Sequence, residues 1–199
     1  MEEIISKKEF DRLIKFNVEV RGNGLKNIAN FILREKGEAG LREVSDAINQ
    51  LGYKLNYNTV RGMDFYPIGL VPISLLVTQK LFNFGNKEFQ QMGELDAKFT
   101  SLTRIFIKYF VSLDKAVKAA PTMWRTYNTA GDLRVTEYNK EKKYIILRIE
   151  NFVLHPFHCQ YLIGYFRGVI QMITGIKAVC QETKCVHRGD EYNEFLMKW

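Results

Sequence analysis

The side chains best suited to nucleophilic or acid–base chemistry crowd into the end of the chain. All three histidines (His155, His158, His187) and all three cysteines (Cys159, Cys180, Cys185) lie beyond residue 150. No GxSxG, HExxH, GxGxxG or phosphate-loop pattern accompanies them, so hydrolase and nucleotide-cofactor chemistry has no motif to rest on. His155 precedes Pro156, and a His-Pro pair at a helix entrance reads as a boundary before it reads as a catalytic base. Three cysteines is an odd number without paired spacing. The opening MEEIISKKEF is charged from its second residue and offers no signal peptide. Both features point to a reducing, cytoplasmic setting without a structural disulfide.

The elements that must position these groups are legible around them. Pro156 suits the first turn of a helix, and FHCQYLIGYFRGVIQMITG continues as a helical run that Gly175 closes. Gly164 and Gly168 share one face of that helix and strip it to backbone, which predicts an unusually close neighbour. Beyond it, IKAVCQETKCV and EYNEFLMKW read as two strands, with HRGD, including Gly189, as their turn. Cys180 reads as a core residue of the first strand.

The run from Cys159 through Gly164-Tyr165-Phe166-Arg167-Gly168 to Glu182-Thr183-Lys184-Cys185, then Arg188-Gly189-Asp190 and an aromatic-ended last strand, resembles the 4-vinyl reductase-like small-molecule-binding domain. That domain is grouped with the haem nitric-oxide-binding domains and the Bet3-type subunits of the transport protein particle. In the phenol- and xylene-sensing members a Cys at the start of this helix, an E-x-x-C pair and a Cys eight residues later hold zinc. The resemblance therefore implies a zinc site on Cys159, Glu182 and Cys185, with Asn193 where the fourth ligand would stand. A helix N-terminus favours the thiolate that zinc binds. Glu182 and Cys185, three apart, face opposite ways on an unbroken strand, so they converge only if the strand bends or ends between them. His187, Asp190 or a water could supply the fourth donor. The competing reading makes Cys159 and Cys185 small buried residues and pairs Glu182 with a Lys or Arg. Haem sensors of the group take an axial histidine from the helical half; this chain has none there, which argues against haem.

Over the remaining chain, 199 residues with 46% apolar and 13% aromatic content suffice for one domain with a buried core. The charge of +7 is spread through mixed-sign segments such as KKEFDR and NKEKK. It reads as a solvated surface rather than a nucleic-acid face. The longest apolar stretches carry Gln79, Lys80 or Arg167, against a membrane span. Helices are predicted from Ser6 to about Phe16, over Leu25–Lys36 with Gly37 as stop, over Leu41–Leu51, over Leu70–Phe84, over about Lys87–Ser112, and over LDKAVKAA up to Pro121. The second and third could form a helix-turn-helix, but acids Glu43 and Asp46 flank the single basic Arg42. From Gly131 the period changes to two: Leu133 and Val135, then a turn at residues 139–143, then Ile145, Leu147 and Ile149 form a hairpin.

The expectation is an α+β fold over residues 1–199: a mainly helical half (1–130) leaning on a ββαββ half (131–199) with a four-stranded antiparallel sheet. The resemblance implies a ligand pocket between the halves, with Tyr66, Leu70, Phe106, Tyr109, Phe110, Trp124, Tyr127, Tyr161 and Phe166 as its candidate wall. It implies a hydrophobic or aromatic small-molecule-binding or sensory module acting through a separate signalling partner or a homodimer. A Bet3-like scaffold subunit is the alternative, and an accessory factor in tetrapyrrole metabolism a third.

Overall fold

The computed structural model describes residues 5–99 and 112–199. Helix α1 (Lys7–Ile14) starts where Ser6 Oγ accepts from the Glu9 N–H at 3.2 Å, the cap that the Ser6/Glu9 spacing predicts. The following segment, expected only to break the helix, forms strand β1 (Glu19–Arg21), paired antiparallel with β2 (Phe65–Pro67). Three-residue strands are too short to show a period in sequence. Helix α2 (Asn23–Gln50) spans both predicted helices and is broken at Gly37, whose φ of 69° only glycine adopts freely. Helix α3 (Leu70–Phe82) is buried on most sides and ends in a left-handed Asn83. Helix α4 (Asn86–Phe99) is the described part of the predicted Lys87–Ser112 run; Phe106, Tyr109 and Phe110 fall outside the described residues.

Helix α5 (Leu113–Tyr127) corrects the expected stop, because it runs straight through Pro121. An internal proline removes one ladder hydrogen bond. Burial of Ala116 and Trp124, the Ser112 cap on Lys115 N and the closing Asn128 N–H to Trp124 O bond hold the helix together beyond it.

Strands β3 (Asp132–Asn139) and β4 (Tyr144–Glu150) form the first hairpin, α6 (Pro156–Thr174) crosses over, and β5 (Val179–Lys184) and β6 (Asn193–Lys198) form the last. The sheet is antiparallel with order β3-β4-β6-β5. Helix α6 begins at Pro156 with His155 Nδ1 accepting from Phe157 N, and ends at left-handed Gly175, as its punctuation predicts.

The α4–α6 contact fixes the site. A Cβ built at Gly164 would sit 1.8 Å from Gln90 O, and one at Gly93 would sit 1.9 Å from Tyr161 O. The two backbones therefore touch in both directions. Polar groups lock the seam: Arg167 pairs with Glu94 at 3.0 Å, Gln90 with Gln160 at 2.9 Å, and Tyr161 OH donates to Asp96 at 2.8 Å. Buried apolar side chains form one cluster among α1 to α4 and a second between the sheet, α5 and α6. Helix α6 contributes Tyr161 to the first and Leu162, Ile163 and Phe166 to the second. Among the described residues no helix is long and apolar enough to cross a membrane.

Candidate functional site

Two features share α6. The first is a cavity of about 160 Å³ bounded by α5, α6, the inner face of β3, β4 and β6, and the start of α2. Four of the expected wall residues, Trp124, Tyr127, Tyr161 and Phe166, line it. Tyr66 does not: its hydroxyl accepts from Arg61 N in the β1–β2 corner. Leu70 is fully buried in the helical cluster instead. Residues that the aromatic pattern missed complete the wall: Leu113, Ala116, Val117 and Ala120 from α5, and Val169, Ile170 and Ile173 from the far half of α6. The four on α5 lie in the predicted helical stretch LDKAVKAA and the three on α6 in the predicted run closed by Gly175; a search for aromatic side chains passes over small and aliphatic ones that share the same 3.6-residue face.

His158 also faces this cavity. Its ring stacks on Tyr161 at 6.1 Å and 10° and lies 5.5 Å from Phe152. Burial, then the neighbouring His155 and His187, drives its pKa down to about 3, so the imidazole is neutral across the physiological range. Trp124 is anchored by its indole N–H to Ala130 O and Gly131 O at 3.1 and 3.0 Å, which leaves its ring free to act as wall.

The second feature lies one residue further along α6. Cys159, Glu182 and Cys185 bring their ligand atoms within 4.8 Å of one another. The parity obstacle is removed twice over. The β5–β6 register shifts between Glu182 and Lys184, so a bulge at Thr183 restores the facing, and the strand ends at Lys184 with Cys185 opening a 3-10 turn, Val186–Arg188. Glu182 has a 5% exposed side chain; Oε2 meets Arg188 at 3.3 Å, while Oε1 is buried without a hydrogen-bond partner. Its nearest donors are the two thiols, and S–H is a weak donor, so this buried carboxylate oxygen is poorly satisfied.

The Cys159 thiol is pushed well up, first by burial and then by the Glu182 carboxylate and Cys185. The helix dipole alone does not make it a thiolate. Cys185 is raised by burial, against a backbone hydrogen bond at His187. A cation would reverse this balance by displacing the protons. With bonds of about 2.0 to 2.3 Å, tetrahedral zinc holds its ligands roughly 3.5 to 3.8 Å apart. The trio fits such an ion with small adjustment.

Asn193 is spoken for: Oδ1 accepts from Val186 N at 3.1 Å and Nδ2 donates to Phe152 O at 3.1 Å. Asp190 closes the turn by accepting from Cys185 N at 2.8 Å. Asn193 therefore has both ends of its amide engaged, while Asp190 is held in the turn by one of its two oxygens. Cys180 is held at about 12 by burial and packs against the sheet cluster.

Haem does not fit the cavity. The volume is below the roughly 300 to 1,000 Å³ of sites for drug-sized ligands, and a macrocycle needs more still. The one histidine on its wall, His158, is stacked on Tyr161 as part of that wall.

No family model and no curated protein matches the sequence. Solved structures do match. An H-NOX protein from S. oneidensis in the Fe(II)NO ligation state superposes with a TM-score of 0.69 at 12% identity, covering 89% of this chain and 98% of that one. An NMR structure of an H-NOX domain mutant from Shewanella oneidensis in the Fe(II)CO state gives 0.64 at 14% identity, covering 89% and 97%. A trafficking protein particle complex subunit 3 from Naegleria fowleri, covalently bound to palmitic acid, scores 0.46 at 18% identity over 62% and 88% of the two chains. The fold is thus that of the H-NOX domains, a helical half on a four-stranded antiparallel sheet.

Proposed function

We propose that the chain is a binding or sensory module for a hydrophobic or aromatic small molecule, of the 4-vinyl reductase-like kind. Occupancy of the cavity would be passed to a partner or across a homodimer in the cytoplasm. The observation that carries this reading is the cavity itself: an apolar space of about 160 Å³ between α5, α6 and the sheet. An apolar cavity of about 150 Å³ is known to hold benzene, so the size suits one aromatic ring. Helix α6 presents His158 to that space and Cys159, the next residue, to the thiol–carboxylate trio. Cys159, Glu182 and Cys185 would hold zinc, which when bound would act as a structural staple between α6 and the last hairpin. A shift of α6 on ligand uptake would then be felt at the hairpin.

Native mass spectrometry of the purified protein, followed by denaturing extraction and metal analysis of the same sample, tests this. Retention of an apolar small molecule supports the module. A clean apo mass, no metal and a tight dimer that takes up no hydrophobic probe would refute it and leave the scaffold subunit.

A further inference from the structure

The cavity has two unlike ends. Toward Leu113 and Ile173 it is apolar; where α5 finishes, its wall carries Arg21 from β1, Asn23 from the first turn of α2, and Asn128. Arg21 is the unusual member. Its Nε donates to Thr126 O at 3.3 Å, Nη1 donates to Met63 O, and the guanidinium carbon sits over the Phe65 ring, 3.7 Å from its centroid. Two backbone carbonyls and a ring thus hold it in place, using two of its five donors. Among the described residues no carboxylate lies within ion-pair reach of it. Arg148 and Arg167, also half-buried, each hold a glutamate. A positioned cation beside an apolar space, with its counter-charge missing, is arranged to receive an anion. The start of α2 adds to the same field, since Gly22 provides no side-chain cap and the first turn has no acid. Asp96, the acid on this wall, already accepts from Tyr161 and from Asn27 at 2.8 and 2.6 Å.

We propose that this end of the cavity is a carboxylate subsite. The ligand is an amphipathic monocarboxylate with an apolar body about one ring in size, whose head group is held by the remaining donors of Arg21 beside Asn23. Guanidinium is the side chain whose planar fork matches a carboxylate. This inference rests on the reading that the cavity binds a small molecule.

Isothermal titration of the full chain at pH 7 with three probes of one shape tests it: 3-phenylpropanoate, 3-phenylpropan-1-ol and 3-phenylpropylamine. The carboxylate is expected to bind about 10- to 100-fold more tightly than the alcohol, and the amine most weakly. Arg21→Gln, checked for folding by circular dichroism, should bring the carboxylate down to the alcohol and leave the alcohol unchanged; Arg21→Lys should keep part of the preference. Alcohol binding as tight as carboxylate binding, or a carboxylate preference that survives in folded Arg21→Gln, overturns the subsite and leaves the cavity reading standing. Absence of binding by all three overturns both. If Arg21→Gln does not fold, the order of the three probes on the unaltered protein decides.

Discussion

Replacing Gly164 by Ala places a methyl carbon 1.8 Å from Gln90 O, a backbone atom of α4 that no rotamer change can move. Ordinary contact lies near 3.4 Å, so α4 and α6 must part by more than an ångström. That separation stretches the Arg167–Glu94, Gln90–Gln160 and Tyr161–Asp96 bonds, which all cross the same seam. Overpacking of this kind costs about 1 to 3 kcal/mol, and loosening the charged and buried hydrogen bonds adds about 1 to 2 kcal/mol. Alanine's better helix propensity returns up to about 1 kcal/mol. The net expectation is a loss of about 2 to 4 kcal/mol. In a chain of this size that lowers the melting temperature by about 5 to 15 °C. Gly24 is the control: its Cβ would meet Tyr161 OH at 3.6 Å and Asp96 Oδ2 at 3.9 Å, ordinary contacts with the same polar group. Gly24→Ala should be neutral or stabilising by up to about 1 kcal/mol. Thermal and urea unfolding of the two variants and the parent measures both. A Gly164→Ala protein as stable as Gly24→Ala would refute the close-packed seam.

Three further outcomes are expected. Burial opposes the charge on Glu94, but hydrogen bonds and charges from Lys98 and Arg167 outweigh it and hold its carboxyl below the 4.5 of an ordinary glutamate; its contribution is present above that value and lost as pH falls through the lower folded pKa. The stability gap between the parent and Glu94→Gln should therefore be full at pH 7 and close on acidification below pH 4.5, and a gap that stays constant down to pH 2 would contradict this. Asn193→Ala strands Val186 N and Phe152 O, one of them in a buried setting, and should cost about 2 to 4 kcal/mol in urea unfolding, with an unchanged midpoint counting against the assigned bonds. Cys159→Ser and Cys185→Ser should each abolish an otherwise one-to-one zinc content measured by inductively coupled plasma mass spectrometry, Cys180→Ser should keep it, and zinc uptake should rise with pH because both thiols must lose protons. Equal zinc in all three variants would remove the trio as ligands.

What the sequence announced was whatever local chemistry dictates. Ser6, Pro156 and Gly175 mark helix ends by cap geometry that depends only on near neighbours, and both hairpins follow from alternation around polar turns. The Gly164 and Gly168 spacing foretold a close approach, although it could not say that Gly93 of α4 answers it. Long-range pairing was silent: β1 and β2 meet across 43 intervening residues through three residues each. Pro121 misled because tertiary burial of Trp124 outweighs one lost hydrogen bond. That error separated Trp124 and Tyr127 from the helix that also carries Leu113, Ala116, Val117 and Ala120 to the cavity. At the thiol cluster the sequence posed the question of parity, and the bulge at Thr183, a property of the β5–β6 register, answers it. Tyr66 and Leu70 show the limit of reading aromatic and apolar stripes: side-chain type does not say which of two clusters a residue joins.

The cavity between α5, α6 and the sheet carries the proposed function. Its most direct test is calorimetric titration with ethylbenzene of the parent protein and of Ala120→Phe, a substitution that extends a ring from the α5 wall into the space. One-to-one binding by the parent, weakened at least about tenfold in a folded Ala120→Phe protein, is the predicted result. No binding by the parent, or binding that the added ring leaves untouched, would contradict it.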